Sequence, residues 1–186
     1  NIHDLSASGN INAIRYGDGS GSPSSAFNNN VYNLISTGYS VIGIKNNSSS
    51  VSNQVYQNNI FNLEVNNPAG LVFGIQDATS GLDNSATYIY NNFISDLRAP
   101  ITNYADAIHG LDILYISNNS IVGLYFNTIY LNASSSALNF GSTGIHHTYS
   151  VTATTATLDM RNNIIVNNST PNGTGRTVAL RRSEST

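Results

Sequence analysis

The 186-residue chain contains no cysteine, no tryptophan, one methionine, four prolines and a single lysine. The absence of cysteine excludes disulfide bonds and thiolate metal sites. Charged residues make up only 9% of the chain, against roughly 25% in ordinary soluble proteins. So few basic residues cannot form the patch that binding to a phosphate backbone requires, and nucleic acid is not expected as a partner.

Long apolar runs are also missing, and none approaches the roughly 18 residues of a membrane span, so membrane insertion is not expected. The chain is instead rich in uncharged polar residues: 29 asparagines, 25 serines and 15 threonines. The length fits one domain with a substantial core.

An asparagine pair, or a variant of it, precedes an apolar residue five times along the chain. The first members of these pairs, at positions 29, 58, 91, 127 and 162, are 29, 33, 36 and 35 residues apart. An apolar or aromatic stretch comes before each pair, and a small-apolar-polar triplet such as Gly43-Ile44-Lys45 follows it. Repeats of this length with variable loops are typical of a solenoid.

The repeated segments are short, rich in Val, Ile, Tyr and Phe, and bounded by Asn, Gly and Ser, a pattern typical of strands. No segment has the apolar spacing and caps of an ordinary helix. Three strands per repeat predict an all-β, right-handed parallel β-helix of about five to six coils. We expect residues 1–186 to form one segment of a longer solenoid.

The asparagine pairs have a structural explanation. Asn tolerates the left-handed backbone conformation that a sharp bend needs, and stacked coils allow side-chain amides to hydrogen-bond along the rod. The predicted ladder comprises Asn29, Asn30, Asn58, Asn59, Asn91, Asn92, Asn127, Asn162 and Asn163.

The residue after each pair is always apolar and is therefore expected to face the core: Ile2, Val31, Ile60, Phe93, Ile129 and Ile164. By strand alternation the next residue should face outward: His3, Tyr32, Phe61, Ile94, Tyr130 and Ile165. This outward stripe could be covered by a loop, form a lateral contact, or bind sugar rings by stacking on Tyr32, Phe61 and Tyr130.

The polar residue of each triplet is a second candidate for ligand binding. If the register holds, these residues form one column on an outer face: Arg15, Lys45, Gln76, Asp112 (or His109), His146 and Arg181. Such a column could bind an acidic polysaccharide, whose charges repeat along one axis. The alternative is that an outward strand position accepts any polar residue.

Catalysis has weaker support. Glycoside hydrolysis needs two carboxylates on one face, and Asp77 with Asp112 is the one pair that follows similar strands in neighbouring coils. Asp106 and His109, with Asp112 and the adjacent His146 and His147, could form a metal or acid–base group. The preferred interpretation assigns no catalytic residue, no metal and no cofactor.

The segments "NNFISDLRAP", "NTIYLNASSS", "GSTGIHHT" and "TATLDMRNNIIVNNSTPNGTGRTVALRRS" resemble right-handed parallel β-helix repeats of very large secreted surface proteins of Bacteroidota and related bacteria. Those proteins are cargo of type IX secretion, and the resemblance implies an extracellular or cell-surface location. It also implies a structural or adhesive role, and it transfers no catalytic residue.

The sequence therefore predicts a non-enzymatic extracellular module: a stalk, adhesin or filament subunit. Its expected partners are further copies of itself or flanking repeats at both ends, with an extracellular polysaccharide as a further partner. The alternatives are a carbohydrate-binding module and a polysaccharide lyase or glycoside hydrolase of pectate-lyase-like fold.

Overall fold

A computed structural model describes residues 1–17, 23–48, 50–79, 83–114, 116–148, 150 and 153–183. The described part of the chain is all β, without a helix, and so it contains no helix long and apolar enough to cross a membrane. The strands in chain order are β1 (Ile2–Ala7), β2 (Ile11–Tyr16), β3 (Ser24–Phe27), β4 (Asn30–Ser36), β5 (Ser40–Asn46), β6 (Ser52–Tyr56), β7 (Asn59–Val65), β8 (Leu71–Asp77), β9 (Ala86–Tyr90), β10 (Phe93–Ser95), β11 (Leu97–Arg98), β12 (Tyr104–Ile113), β13 (Ile121–Tyr125), β14 (Thr128–Leu131), β15 (Phe140–His147), β16 (Thr157–Arg161), β17 (Ile164–Asn167) and β18 (Thr177–Arg182).

These strands form three parallel sheets that wind into a β-solenoid of about five turns with three strands per coil. Sheet 1 has the order β1-β4-β7-β10-β14-β17, with β11 also paired to β7. Sheet 2 has the order β2-β5-β8-β12-β15-β18, and sheet 3 the order β3-β6-β9-β13-β16. The predicted fold class, a parallel solenoid with three strands per coil, is therefore confirmed.

The core runs along the inside of the three sheets. In sheet 2 the column Ile44, Ile75, Leu111 and Ile145 is in register and fully buried. In sheet 1 the buried column is Val31, Ile60, Ile94 and Ile129. Each such side chain contributes roughly 1.5–3 kcal/mol by leaving water. Because similar apolar residues stack from coil to coil, successive coils repeat along the solenoid axis.

An asparagine ladder stands at the bend between sheet 3 and sheet 1. Side-chain amides donate from coil to coil at 2.9–3.0 Å along the series Asn29, Asn58, Asn92, Asn127 and Asn163. Each of the first four also donates its backbone N–H to the next side-chain oxygen. The ladder saturates amide groups that would otherwise be buried without partners.

Asn59, Asn91 and Asn162 were predicted to belong to the ladder but lie outside this series. Asn30 also lies outside it, although its side-chain amide donates to Asn1 Oδ1 of the neighbouring coil at 3.0 Å. The residue with positive φ directly precedes the ladder position in every coil, at Asn28, Gln57, Asn91, Phe126 and Asn162. The ladder residue is therefore the first member of the pairs at 29 and 58 but the second member of the pairs at 91 and 162. The shift of one residue is not visible in the sequence, because both kinds of coil contain the same Asn-Asn dipeptide.

The same shift corrects the predicted core face of sheet 1. Phe93 pairs with Asn59 and Thr128, and Ile164 also pairs with Thr128, so both face outward, 45% and 60% exposed. Ile94 and Ile165 pair with Ile129 and face inward, although the sequence predicted the reverse. One residue of slip moves a whole strand to the other face because side chains alternate.

Candidate functional site

The outer column of sheet 2 has the register that the sequence predicts. Backbone pairing connects Arg15 to Lys45, Lys45 to Gln76, Gln76 to Asp112, Asp112 to His146 and His146 to Arg181. His109 belongs to a neighbouring column, between Phe73 and Thr143. Asp112 is therefore the member that this coil contributes to the predicted column.

His109 and Asp112 face the same side of the sheet although they are three residues apart in a strand. Leu111 is fully buried in the inward column, and a side chain at Gly110 would meet Ile129 of the core. Gly110 and Leu111 thus both point inward, and His109 and Asp112 on either side of them both point outward. Gly110 permits this departure from alternation because the close approach leaves no room for a Cβ atom.

Three adjacent strands, β8, β12 and β15, assemble a network around Asp112. Its Oδ1 contacts Nδ1 of His109 at 3.0 Å and Nδ1 of His146 at 2.8 Å, while its Oδ2 accepts from Nε2 of Gln76 at 2.9 Å. Asp112 and His109 are buried, and His146 lies at the edge of the solvent. One buried carboxylate thus holds two imidazole rings.

Asp106 approaches His109 from the other side of the ring. Its Oδ2 is 3.1 Å from Nε2 of His109, an ion-pair contact whose angle is too poor for a hydrogen bond. Thr143 Oγ1 donates to Asp106 Oδ1 at 2.6 Å, and Arg181 Nη1 donates to Asp106 Oδ2 at 2.9 Å. His109 is therefore held between two carboxylates.

The charged groups in this cluster shift one another's pKa values. Burial alone would lower the pKa of His109, but its contacts with Asp106 and Asp112 outweigh burial and raise the pKa to about 9. Burial favours a higher pKa for Asp112, yet contacts with His109, His146 and Gln76 hold this pKa well below its usual range. At neutral pH the site thus contains a buried imidazolium between two carboxylates.

The cluster forms the floor of an open groove of about 450 Å³ on the outer face of sheet 2. Leu71, Phe73 and Tyr104 supply apolar lining, and Gln76, His146 and Arg181 supply polar groups. Apolar walls with a few convergent polar groups are typical of a binding site.

The predicted cationic column is not uniform along the rod. Arg181 is engaged by Asp106, and the central positions carry Asp112 and a Gln76 side chain that donates to it. Binding of an acidic glycan by Arg15, Lys45, Gln76, His146 and Arg181 stays a prediction.

The proposed carboxylate pair of Asp77 and Asp112 is wrong. Asp77 pairs with Ile113, points into the solenoid and accepts from Asn46 Nδ2 at 2.8 Å. Its complete burial raises its pKa to about 7. The two carboxylates lie on opposite faces of sheet 2 and cannot act on one substrate.

The adjacent histidines also separate, as alternation predicts. His146 faces the groove and contacts Asp112, whereas His147 is buried. Burial lowers the pKa of His147, and nearby Arg182 lowers it further.

The aromatic stripe of sheet 1 is only partly continuous. His3, Tyr32 and Phe61 stack at ring-centroid distances of 4.8 and 4.9 Å with nearly parallel planes. Ser95 then pairs with Tyr130 and interrupts the series. Rings within this stack cover each other's faces, whereas Tyr130 stands apart from it and is 41% exposed. Sugar binding by Tyr32, Phe61 and Tyr130 stays a prediction.

Sequence reasoning missed a second stack, Phe27, Tyr56 and Tyr90, with centroid distances of 4.9 and 4.8 Å. It also missed Tyr104 and Phe73, which line the groove, and Thr143, which donates to Asp106. Thr143 and Phe73 pair in register with His109, and this register was the signal that could have found them.

The fold and the groove define the class of this protein: a parallel β-solenoid with a groove of mixed apolar and polar lining on the outer face of one sheet. Comparisons of the chain with protein-family models, curated proteins and solved structures find no match.

Proposed function

We propose that this chain is a non-enzymatic, extracellular β-solenoid module with a structural and adhesive role, which joins further coils end to end. The bacterial cell-surface location rests on the resemblance of its repeats to those of secreted surface proteins. Its repeated positions, the asparagine ladder and the aromatic stacks, hold one coil on the next and have no evident chemistry of their own.

The observation that carries the end-to-end role is the open end of the core. Leu180 is in register with Ile145 in the inward column, whose four preceding members from Ile44 to Ile145 are fully buried, yet Leu180 is 50% exposed. Strands β16, β17 and β18 also pair on one side only. Solenoids need such ends to be covered, because an open strand edge and core attract further strands.

We expect a further coil, from another copy or from flanking repeats, to cover this end. Light scattering after size exclusion, over a concentration series, and electron microscopy test the idea. The chain should form oligomers or filaments with concentration, and Leu180→Lys should abolish them because a charge enters the contact. The matched control is Leu138→Lys, on a side chain that is largely exposed away from the core. A wild-type chain that stays monomeric with stable ends contradicts the proposal.

Carbohydrate binding is a second candidate, and the groove over sheet 2 favours it. Tyr104 is exposed at the groove beside His146 and Arg181, so an aromatic ring and polar groups face the same space. Sugars bind through this combination of ring stacking and hydrogen bonds.

A glycan array with neutral and acidic polysaccharides tests this second candidate. Tyr104→Ala should reduce binding, whereas Tyr39→Ala, at an exposed tyrosine outside the groove, should not. Joint substitution of Arg15, Lys45 and Arg181 by Gln should weaken retention of acidic glycans, and unchanged retention contradicts the charge-based version. Release of reducing or unsaturated sugars would instead support the enzyme alternative.

A further inference from the structure

Three potential metal ligands converge in the groove from two adjacent strands. His109 and Asp112 lie in β12 and His146 in β15, and one ligand atom from each lies within 4.8 Å of the others. Nδ1 of both histidines points at the same oxygen, Asp112 Oδ1. Two imidazole nitrogens and one carboxylate oxygen thus lie close enough together for a single cation to contact all three.

We propose that His109, Asp112 and His146 bind a divalent transition-metal ion of the zinc class, with a further coordination position open to the groove. Two imidazoles and one carboxylate are a frequent ligand set for zinc and other transition metals. Imidazole nitrogen disfavours calcium and magnesium, which prefer oxygen ligands. The inference goes beyond the scaffold role and does not depend on it.

The three ligand atoms lie near the spacing that a bound zinc ion requires, but not at it. The ligand atoms stand 2.8 and 3.0 Å from Asp112 Oδ1. Ligands at about 2.0–2.1 Å from a tetrahedral zinc ion lie about 3.3 Å from one another. Each imidazole nitrogen would therefore move about 0.3–0.5 Å away from Asp112 Oδ1. The two imidazoles, whose ligand atoms lie within 4.8 Å of each other, would adjust to the same spacing.

The residues around the ligands match the surroundings of metal sites. Metal-bound histidines usually contact a carboxylate through the other ring nitrogen, and ligating carboxylates usually accept a hydrogen bond. Asp106 takes the first role, 3.1 Å from Nε2 of His109, and Gln76 takes the second, 2.9 Å from Asp112 Oδ2. Thr143 and Arg181 in turn fix Asp106. The ligands are thus oriented before an ion arrives.

The open coordination position faces the groove. His109 and Asp112 are buried, but His146 is at the solvent edge, and the groove above the cluster is lined by Tyr104 and Phe73. Catalytic zinc sites have this form, with three protein ligands and one position for water. An ion here would be reachable from solution and by an oxygen of a bound molecule.

The test is titration of the untagged chain, first treated with chelator, with zinc chloride by calorimetry and with cobalt chloride by absorption. One ion should bind per chain, and cobalt should give the visible bands of a tetrahedral nitrogen and oxygen site. His146→Ala should weaken zinc binding at least 100-fold, and Gln76→Ala about 10-fold because it positions Asp112. Circular dichroism checks the fold, and His146→Gln is the milder variant if the first is unstable.

His3→Ala is the matched control, because His3 also contacts a carboxylate, Asp4 at 2.8 Å, on the surface. Zinc affinity should be unchanged in this variant. The proposal is overturned if the wild-type chain binds no zinc at micromolar concentration. It is equally overturned if the folded His146 variants bind zinc as tightly as the wild type.

Discussion

The asparagine ladder and the outer column of sheet 2 follow the same rod but differ in composition. The ladder has the same residue in five successive coils, from Asn29 to Asn163. The outer column, from Arg15 to Arg181, has five residue types in six coils. A ladder amide must pair with an identical amide above and below, whereas a position on the outer face of sheet 2 can take a different residue in each coil. Repetition therefore indicates architecture, and variation leaves room for a site.

The largest expected effect tests the register on which this comparison depends. Ile94→Ala removes a fully buried core side chain and should lower the free energy of unfolding by about 2–5 kcal/mol. Phe93→Ala alters the exposed neighbour and should cost less than about 1 kcal/mol. Urea denaturation measures both, and a larger cost at Phe93 would contradict the register.

The next prediction concerns a substitution that interrupts the hydrogen bonds of the asparagine ladder. Asn92 donates to Asn127 Oδ1 and Val55 O and accepts twice from Asn58. Asn92→Ala leaves buried groups unpaired and should cost about 3 kcal/mol or more.

Asn59→Ala is the control for the ladder, because Asn59 belongs to an asparagine pair but not to the ladder. It should change the free energy of unfolding by no more than about 0.5 kcal/mol. His146→Ala, in the variable column, should cost less than Asn92→Ala. Equal costs at Asn59 and Asn92 would show that the pairs, not the ladder, matter.

The third prediction compares the two faces of sheet 2 by the pH dependence of the stability that their buried carboxylates contribute. Asp77 has its folded pKa raised to about 7, from 3.8, so its protonated form stabilises the fold at low pH and this contribution is lost as pH rises through 7. Asp77→Asn mimics the protonated acid. Relative to wild type, the free energy of unfolding of the variant should increase by about 1.4 kcal/mol per pH unit, or by about 2.5 kcal/mol between pH 4 and 6.

Chemical denaturation across this pH range measures the difference between the two chains. Asp112, on the outer face, provides the contrast, because its pKa is lowered and its contribution is lost at acid pH instead. A pH-independent difference between wild type and Asp77→Asn would contradict the raised pKa.

The smallest expected effect concerns the bend before the ladder. Phe126 has φ of 54° and is 56% exposed, where three of the other four coils have asparagine. Phe126→Asn should stabilise the chain by about 0.5–1 kcal/mol, because asparagine tolerates this conformation better. Differential scanning calorimetry should show a higher midpoint, and a lower one would contradict the argument.

Much of the fold was predictable because the same residue types recur at one coil length. The triplets such as Gly43-Ile44-Lys45 gave the register of sheet 2 in all six coils. The asparagine pairs misplaced sheet 1 in two coils, since two adjacent identical residues cannot indicate which one is in the ladder. The backbone at Asn91 and Asn162 resolves this, because the positive φ identifies the residue that makes the bend.

The candidate site was predictable only in part. The sequence brought Asp106, His109, Asp112 and His146 together as a candidate group, but it also paired Asp112 with Asp77. Simple alternation places His109 and Asp112 on opposite faces. Only the inward Gly110 and Leu111 place them on the same face.

The sequence by itself determined the coil, its length and its three strands, because these depend on local preferences and on a period that repeats. The tertiary structure alone decided which asparagine enters the ladder, which side of sheet 2 each carboxylate faces, and which groups surround His109. Those features depend on contacts between residues about 30–40 positions apart, such as His146 with Asp112. The departure from alternation at Gly110 places His109 on the same face as Asp112 without altering the repeat, because Gly43, Gly74 and Gly144 approach the core in the same way.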